Sequence, residues 1–284
     1  MASLDRRLHA FRPDLADAAL QGQVEADRFS TGQAAVVCVA AADLRTAPDP
    51  SQGIDTQLLF GEAVTCFEVR DGWAWVKNER DGYVGYLPAD ALDVPLGEPT
   101  HQVSALRTFV YPESHMKGPV RLALSMTSLV RVVGREGTFS EIAAGGWIYS
   151  DHLAALDDVE ADHVKTALRF VGMPYRWGGK ESVGLDCSAL VQMALHRAGL
   201  PCPRDSDQQA DALGYATPED ALQRGDLLYM PGHVAIALEE GTVLHATEQD
   251  MRVRVEPLAD LLARVDAEHG CGITYRGRAG SRPS

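Results

Sequence analysis

An internal repeat in the first half of the chain limits the folds that this part can adopt. Residues 43–46 (DLRT) resemble residues 105–108 (ALRT), and residues 85–92 (GYLPADAL) resemble residues 146–153 (GWIYSDHL). Leu44 thus aligns with Leu106 and Gly85 with Gly146, and the two pairs are separated by nearly the same number of residues. Unrelated resemblances would not keep one spacing, so the sequence predicts two copies of a module of about 60 residues.

Each copy has the residue pattern of a small β-barrel. Apolar and polar residues alternate in segments such as 73–77 (WAWVK), and Asp-Gly pairs at 71–72 and 81–82 are typical of tight turns. We expect one barrel over residues 34–96 and a second over residues 97–157.

The residues before the first barrel have a different pattern. Leu15, Ala18, Ala19 and Val24 follow a helix-like spacing. Residues 1–33 are therefore predicted to form a helical N-terminal arm.

Composition and charge disfavour several classes of partner. The chain of 284 residues has 26 Lys and Arg against 40 Asp and Glu, which gives a formal net charge of -14. Phosphate backbones and anionic membrane surfaces bind through Lys and Arg, so neither a nucleic acid nor a membrane is an expected partner.

No apolar run reaches the roughly 20 residues of a membrane span. Residues 1–33 lack a secretory pattern, so a cytoplasmic location is expected.

One of the five scattered cysteines lies at the predicted start of a helix. Apolar residues recur with helical spacing over residues 187–198, and Gly199 follows as a stop signal. Asp186 is a suitable N-cap, which places Cys187 in the first turn. The helix dipole stabilises an anion there, so we expect a lowered thiol pKa and a nucleophilic thiolate. The alternative is that Cys187 is a small buried apolar residue.

Two histidines are predicted to share one face of a β-hairpin. Residues 233–238 and 242–246 have strand-like sequences, and the loop 239–241 (EEG) joins them. A three-residue loop with its glycine in the left-handed conformation makes His233 and His245 diagonal neighbours, because side chains alternate between the faces of a strand. A loop of even length would separate them.

Cys187, His233 and His245 together are the residue set of thiol-dependent catalysis. A thiol nucleophile needs a base within hydrogen-bonding distance, and the base needs a third group to orient it. Here the chain resembles the NlpC/P60 family. The shared blocks occur in the family's order, which is PYRWGG at 174–179, LDCS at 185–188, RDS at 204–206, GDL at 225–227, GHV at 232–234 and a histidine at 245.

The resemblance implies an α+β protein in which a papain-like NlpC/P60 catalytic domain, residues 158–280, follows two small SH3-like β-barrels. It implies that Cys187 is the nucleophile, His233 the general base and His245 the third polar residue. This mechanism requires neither a metal nor an organic cofactor. Family members hydrolyse bacterial cell-wall peptides, commonly between D-γ-glutamate and a diamino acid. The order of the modules is similar to that of γ-D-glutamyl-L-diamino acid endopeptidases that recycle murein peptides.

The same resemblance implies that residues near the nucleophile bind the substrate. Asp186 and Ser188 flank Cys187 and would shape the subsites. Arg204, Asp205 and Ser206 of the RDS block are also expected to bind the substrate, with Asp205 as a second acceptor for its ammonium group.

A second group of substrate-binding residues is implied in the first barrel. In the similar endopeptidases a Glu and a Tyr of this module bind the free amino terminus of L-Ala, and Glu62 and Tyr83 match those positions. A carboxylate is a suitable partner for an ammonium group, and a tyrosine adds a hydrogen bond without charge. Tyr86 is the main competitor for the role of Tyr83.

The expected substrate is an L-Ala-γ-D-Glu-diamino acid peptide with a free N-terminus. Three alternatives stay open, namely hydrolysis of intact peptidoglycan stems, a non-catalytic wall-peptide-binding SH3 protein, and a zinc site formed by Cys187, His233 and His245. The sequence does not indicate the preferred diamino acid, the oligomeric state, or the roles of the second barrel and the arm.

We predict that Cys187→Ala abolishes turnover and that stoichiometric iodoacetamide inactivates the unmodified chain, since the thiol is the expected nucleophile. Peptide hydrolysis and metal analysis check this. Full activity of the variant would refute the nucleophile, and stoichiometric zinc with no response to iodoacetamide would favour the zinc site.

Overall fold

Two units make up the chain, Met1–Ala155 and Leu156–Ser284. The structure, a computed structural model, describes residues 4–213 and 221–278. The first predicted barrel and nearly all of the second fall in the first unit, and the predicted catalytic domain falls in the second. Within the described ranges, no helix is long and apolar enough to cross a membrane.

From residue 4 onward, the first unit consists of short strands and three single-turn 3-10 helices. The strands are β1 (Ala16–Asp17), β2 (Phe29–Ser30), β3 (Gln33–Val37), β4 (Ala41–Leu44), β5 (Thr56–Leu59), β6 (Ala63–Arg70), β7 (Trp73–Asn78), β8 (Val84–Pro88), β9 (Leu92–Asp93), β10 (His101–Val103), β11 (Arg107–Val110), β12 (Leu122–Ser125), β13 (Leu129–Val130), β14 (Val132–Glu136), β15 (Phe139–Ile142), β16 (Trp147–Tyr149) and β17 (Leu153–Ala155). The 3-10 helices are Ala18–Leu20, Ala89–Ala91 and Ser150–His152.

Strands β3 to β9 form the first module around one apolar core. Five of them make a sheet in the order β8-β7-β6-β3-β9, and β4 pairs with β5. The core contains Val37, Leu44, Leu58, Val76 and Leu87, each at most 1% exposed. These side chains come from both sheets, so burial of apolar surface holds the two sheets together.

Strands β10 to β17 repeat the pairing pattern of the first module. The residues that correspond in the structure differ, in the first part of the repeat, from those that the sequence aligns. The pair Ala41↔Leu59 of β4 and β5 corresponds to the pair Arg107↔Ser125 of β11 and β12. The DLRT and ALRT segments are therefore not equivalent, whereas the 3-10 helices that begin at Ala89 and Ser150 stay aligned as the sequence predicts. The shift between the copies is therefore larger at their first strands than at their 3-10 helices, so the second copy has fewer residues between these two points.

Over residues 4–33 the N-terminal arm forms no α-helix, contrary to the prediction. It contains the parallel pair β1–β2 and the 3-10 turn Ala18–Leu20, which Asp17 caps by accepting a hydrogen bond from the Ala19 N–H. Leu15 is fully buried and packs in one cluster with Phe67 and Trp75 of the first module. Burial against the barrel decides the conformation of this short segment, because isolated helices of this length are only marginally stable.

Arg12 joins the arm to the first module. Its guanidinium lies 4.3 Å from the centre of the Trp75 ring, donates to Tyr86 Oη at 2.8 Å, and forms a 2.6 Å ion pair with Glu68. Cation–π contacts and charged hydrogen bonds of this kind are strongest where water is partly excluded.

Among its described residues, the second unit has four α-helices and one five-stranded antiparallel sheet. Its elements are α1 (His163–Leu168), β18 (Lys180–Glu181), β19 (Gly184–Leu185), α2 (Cys187–Arg197), α3 (Ser206–Ala212), β20 (Asp226–Met230), β21 (His233–Ala237), β22 (Thr242–Thr247), β23 (Arg252–Pro257), α4 (Leu258–His269) and β24 (Tyr275–Arg278). The sheet order is β23-β22-β21-β20-β24. Leu261 and Val265 of α4 pack against Leu228, Ala235 and Val243 of the sheet.

We predict that Arg12→Ala lowers the free energy of unfolding of the first unit by about 1–3 kcal/mol, because the cation–π contact and the Glu68 ion pair are lost together. Thermal unfolding and limited proteolysis of the arm measure this. Arg70→Ala is the control, since Arg70 is 73% exposed and its ion pair with Asp71 is a surface pair. Equal melting temperatures and equal cleavage in the two variants would contradict the role of Arg12.

Candidate active site

Cys187 is the first residue of α2, as the sequence predicts. The Asp186 carboxylate caps the helix by accepting a hydrogen bond from the Ala189 N–H at 2.9 Å. Gly199, with a φ of 74°, follows the last turn in the left-handed conformation. Cys187 is only 7% exposed, and the backbone of Val234, the residue after His233, hydrogen-bonds to its thiol.

The thiol does not have the lowered pKa that the helix start suggested. Burial, together with the neighbouring Asp186 charge, raises the pKa of Cys187 to about 12. Hydrogen bonds from the backbone of Val234 and Ser188 and the charge of Arg204 oppose this shift but do not cancel it. Loss of hydration outweighs the helix dipole here, so the resting residue is a neutral thiol.

The two histidines meet as the loop length predicts. The loop Glu239–Gly241 has three residues, and Gly241 has a φ of 69°. Ile236 of β21 pairs with Leu244 of β22, which is the register that the sequence predicts. His233 Nε2 lies 2.8 Å from His245 Nδ1. The predicted histidine pair is therefore confirmed, and it forms because side chains of equal parity share one face of the hairpin.

Both histidines are held in the neutral form. Burial, together with the adjacent His245, lowers the pKa of His233 to about 3. Burial also lowers the pKa of His245, while the charge of Glu256 opposes that change. Neutral imidazoles can act as hydrogen-bond acceptors on one ring nitrogen and donors on the other.

Glu256 is a member of the site that sequence reasoning missed. Its Oε1 lies 2.7 Å from His245 Nε2, and its side chain is 1% exposed. Arg264 of α4 forms an ion pair with it, and Arg254 lies 3.5 Å from its other oxygen. In the sequence, residues 252–256 (RVRVE) resemble a strand with a solvated charged face. Only the pairing of β22 with β23 indicates that this face meets His245.

Asp186, Ser188 and Arg204 form one buried polar network. Arg204 donates to both oxygens of Asp186, at 3.0 and 2.7 Å, and to Ser188 Oγ at 2.7 Å. Asp186 also accepts the Gly178 N–H at 2.9 Å. All three residues of the network are buried. These contacts position the start of α2, and direct substrate contact by the three residues stays a prediction.

Asp205 and Ser206 lie at the start of α3. Asp205 is its N-cap and forms a capping box with Gln208, whose Oε1 accepts the Asp205 N–H at 3.4 Å. Both residues are partly exposed. Their side chains retain solvent-accessible surface, and their role in substrate binding stays a prediction.

Glu62 and Tyr83 are buried and have contacts within the first unit. Glu62 accepts hydrogen bonds from the Leu59 N–H at 3.3 Å and from Asn78 Nδ2 at 3.4 Å, and Arg80 Nη1 lies 3.5 Å from its other oxygen. The ring of Tyr83 belongs to the core of the first module. Tyr86 instead contacts Arg12 of the arm. Binding of a substrate amine by Glu62 and Tyr83 stays a prediction.

The geometry of the histidine pair does not suit a zinc site. The facing nitrogens of His233 and His245 are hydrogen-bonded to each other, and the second nitrogen of His245 faces Glu256. A metal bound by both rings would need their lone pairs to converge on one point. In the described part of the chain, no cluster of three or more His, Cys, Asp or Glu side chains could hold a metal.

A small cavity of about 100 Å³ adjoins the histidines. Its lining includes Tyr175, the exposed Trp177, Glu248 and Glu268 together with His233. The site thus combines a buried thiol, a neutral base and an open space beside the base. This arrangement is suited to nucleophilic attack followed by departure of a protonated leaving group.

We predict that the free energy of unfolding decreases as the pH falls below about 6.5, the ordinary histidine pKa. The folded-state pKa of His233 lies below that value, so the unfolded chain binds more protons and stability is lost on acidification. The loss due to His233 at pH 5 is up to about 2 kcal/mol. Calorimetry should show a weaker pH dependence between pH 7 and 5 in His233→Gln, and an unchanged one in the control His115→Gln, since His115 is exposed. Equal pH dependence in both variants would contradict the lowered pKa of His233.

Comparison with known proteins finds a family match in each unit of the chain. A family model described as the NlpC/P60 family matches residues 172–263, and one described as a bacterial dipeptidyl-peptidase SH3 domain matches residues 44–92. The second barrel-like module, residues 97–157, lies outside these two matches.

Bacterial relatives match over most of their length. Dipeptidyl-peptidase 6 of Lysinibacillus sphaericus is 28% identical over 79% of this chain and 91% of its own. A γ-D-glutamyl-L-lysine dipeptidyl-peptidase of Bacillus subtilis is 24% identical over 74% of this chain and 77% of its own.

A solved structure has the same fold. The crystal structure of an NlpC/P60 family protein from Bacillus cereus superposes with a TM-score of 0.71 and 23% identity, and the match covers 80% of this chain and 94% of that one. The family-model matches place residues 172–263 in the NlpC/P60 family of cysteine peptidases and residues 44–92, which precede them, in a family of bacterial SH3 domains.

Proposed function

We propose that the chain hydrolyses the bond between D-γ-glutamate and a diamino acid in murein peptides that have a free N-terminal L-Ala. The observation that carries this proposal is the pair His233 and His245, hydrogen-bonded at 2.8 Å beside the helix that begins with Cys187. Relatives named γ-D-glutamyl-L-lysine dipeptidyl-peptidase, which match more than two thirds of this chain, support the choice of bond.

The protonation states suggest how the first step proceeds. Cys187 is a neutral thiol and His233 a neutral imidazole, so the proton passes from Sγ to His233 as Sγ attacks the γ-carbonyl carbon. The carbonyl oxygen becomes an oxyanion, and backbone N–H groups at the start of α2, including that of Cys187, stabilise it. Transfer of the proton during attack avoids a separately buried thiolate, which burial disfavours.

The second half of the reaction returns the site to its initial state. His233 gives its proton to the departing amine of the diamino acid, and the C–N bond breaks to leave a thioester on Cys187. His233 then accepts a proton from water as the water attacks the thioester, and Sγ leaves with that proton. The products are a dipeptide with a free glutamate γ-carboxylate and an amine, so no cofactor is consumed.

The free amino terminus is proposed to bind Glu62 and Tyr83. The Glu62 oxygens have long contacts, 3.5 Å to Arg80 and 3.3 to 3.4 Å to the Leu59 N–H and Asn78. A carboxylate is a suitable partner for the ammonium group of L-Ala. Such a pocket selects released peptides, because the L-Ala amine is free only after detachment from the glycan. We therefore propose a role in cytoplasmic recycling of murein peptides rather than cleavage of the intact wall.

We also infer that residues 97–157 are a second SH3-like barrel. The pairs β10–β13, β10–β17 and β11–β12 repeat the pairs β3–β6, β3–β9 and β4–β5 of the matched SH3 domain. Leu129 N–H donates to Phe60 O at 2.8 Å, and Phe60 packs in the core of the second module. The second barrel is thereby proposed to support the residues around Glu62.

We predict that the chain cleaves L-Ala-γ-D-Glu-L-Lys and L-Ala-γ-D-Glu-diaminopimelate at the γ-glutamyl bond and that N-acetylation of L-Ala reduces kcat/KM. Removal of the Glu62 charge in Glu62→Gln should lower kcat/KM for the free-amine peptides by about 10- to 100-fold, since a charged hydrogen bond contributes about 1.5–3 kcal/mol. Mass spectrometry of the products measures both effects.

The control Glu79→Gln changes an exposed carboxylate of the same module and should leave the rates unchanged. Melting temperatures separate a fold defect in Glu62→Gln from a lost substrate contact. Equal cleavage of acetylated and free peptides would exclude amine recognition and favour action on intact peptidoglycan stems. Turnover by Cys187→Ala would exclude the thiol mechanism itself.

A further inference from the structure

A row of polar groups in close contact extends behind the proposed base. His233 Nε2 lies 2.8 Å from His245 Nδ1, and His245 Nε2 lies 2.7 Å from Glu256 Oε1. Three neighbouring strands, β21, β22 and β23, contribute one residue each. The His245 and Glu256 side chains are each 1% exposed, so their contact is shielded from bulk water.

We infer that Glu256 is a positioning residue whose carboxylate, acting through His245, sets which ring nitrogen of His233 carries the proton and stabilises the charge that His233 acquires. This inference rests on the proposed function, in which His233 is the base. Neither the family match nor the sequence pattern pointed to Glu256.

The proton positions follow from the donor and acceptor rules. Because an ionised carboxylate only accepts, Glu256 Oε1 at 2.7 Å favours the His245 tautomer that carries its proton on Nε2 and presents a lone pair on Nδ1. His233 must then donate from Nε2, which leaves the lone pair on its Nδ1. A neutral imidazole with an unprotonated Nδ1 is ready to take the thiol proton.

The surroundings of Glu256 keep it ionised. Its pKa is lowered although burial acts in the opposite direction, because Arg264 hydrogen-bonds to the carboxylate and because the charges of His245, Arg264 and Arg254 favour the anion. Arg254 is in turn paired with Asp250. A permanent negative charge therefore lies behind the histidine pair.

The same charge acts on the base during the reaction. Of the groups around His233, the charge of Glu256 raises its pKa, whereas burial, His245 and Arg264 lower it. When His233 takes the thiol proton, the pair of histidines becomes cationic, and the carboxylate stabilises that state. Loss of the carboxylate should slow the chemical step more than it weakens substrate binding.

The ion pair between Glu256 and Arg264 also joins β23 to α4, so a purely structural role must be tested against the positioning role. Asp226 offers a matched control. It is a buried carboxylate of β20 in the same sheet, it pairs with Arg276 and Arg278, and none of its hydrogen bonds among the described residues is to a histidine. Asp226→Asn thus removes a comparable buried ion pair away from the site.

The experiment compares Glu256→Gln, Glu256→Asp and Asp226→Asn with the unmodified chain. Circular dichroism first establishes that each variant is folded at the assay temperature. We expect kcat of Glu256→Gln to fall at least about tenfold, within the range of general base catalysis, with KM within about threefold. Its acid limb of kcat should move to lower pH, because the imidazolium has lost its anionic partner. Glu256→Asp keeps the charge and should be faster than Glu256→Gln, and Asp226→Asn should keep kcat and the pH profile.

A measurement on the unmodified chain guards against variants that do not fold. Histidine ¹⁵N NMR should show both rings protonated on Nε2 and unprotonated on Nδ1 at neutral pH. A His233 protonated on Nδ1, or a folded Glu256→Gln with unchanged kcat and pH profile, would overturn the inference. If Cys187→Ala retains turnover, the proposed function fails instead, whatever the result for Glu256.

Discussion

The buried pair of Asp186 and Arg204 is the interaction on which the geometry around the thiol depends. Arg204 donates to both carboxylate oxygens, and the same oxygens accept the N–H groups of Gly178 and Ala189. One carboxylate thereby joins the preceding loop, the first turn of α2 and the entry to α3. A buried ion pair contributes little net stability by itself, so the main effect of this network is to fix where Cys187 lies.

This anchoring has a chemical consequence for the nucleophile. The carboxylate that caps the helix lies next to Cys187 in the chain, and its charge raises the thiol pKa together with burial. The helix start that positions the sulfur therefore does not by itself ionise it. A base must accept the proton as the sulfur reacts, which makes the state of His233 the decisive feature of the site. In our proposal, His233, His245 and Glu256 supply that state from three adjacent strands.

The sequence predicted the local elements of this site well and the partners across elements less well. Helical spacing, an N-cap and a stop signal correctly placed α2, and the odd loop length correctly paired His233 with His245. These features depend on residues near one another in the chain. Glu256 was missed because its charged neighbours resemble a solvated strand face, and only the pairing of β23 shows that it is buried.

The first unit shows the same division between local pattern and tertiary contact. The sequence by itself determined the β-rich modules, the helix that begins at Cys187 and the hairpin that pairs His233 with His245, since all of these follow from periodicity and spacing. Tertiary structure alone decided that the arm packs Leu15 and Arg12 on the barrel instead of forming a helix, and that Ala41 is the equivalent of Arg107 in the first half of the repeat. It also decided that Cys187 is a neutral thiol, because burial raises the thiol pKa. Burial depends on every group that packs around the thiol, and most of these groups are distant from Cys187 in the sequence.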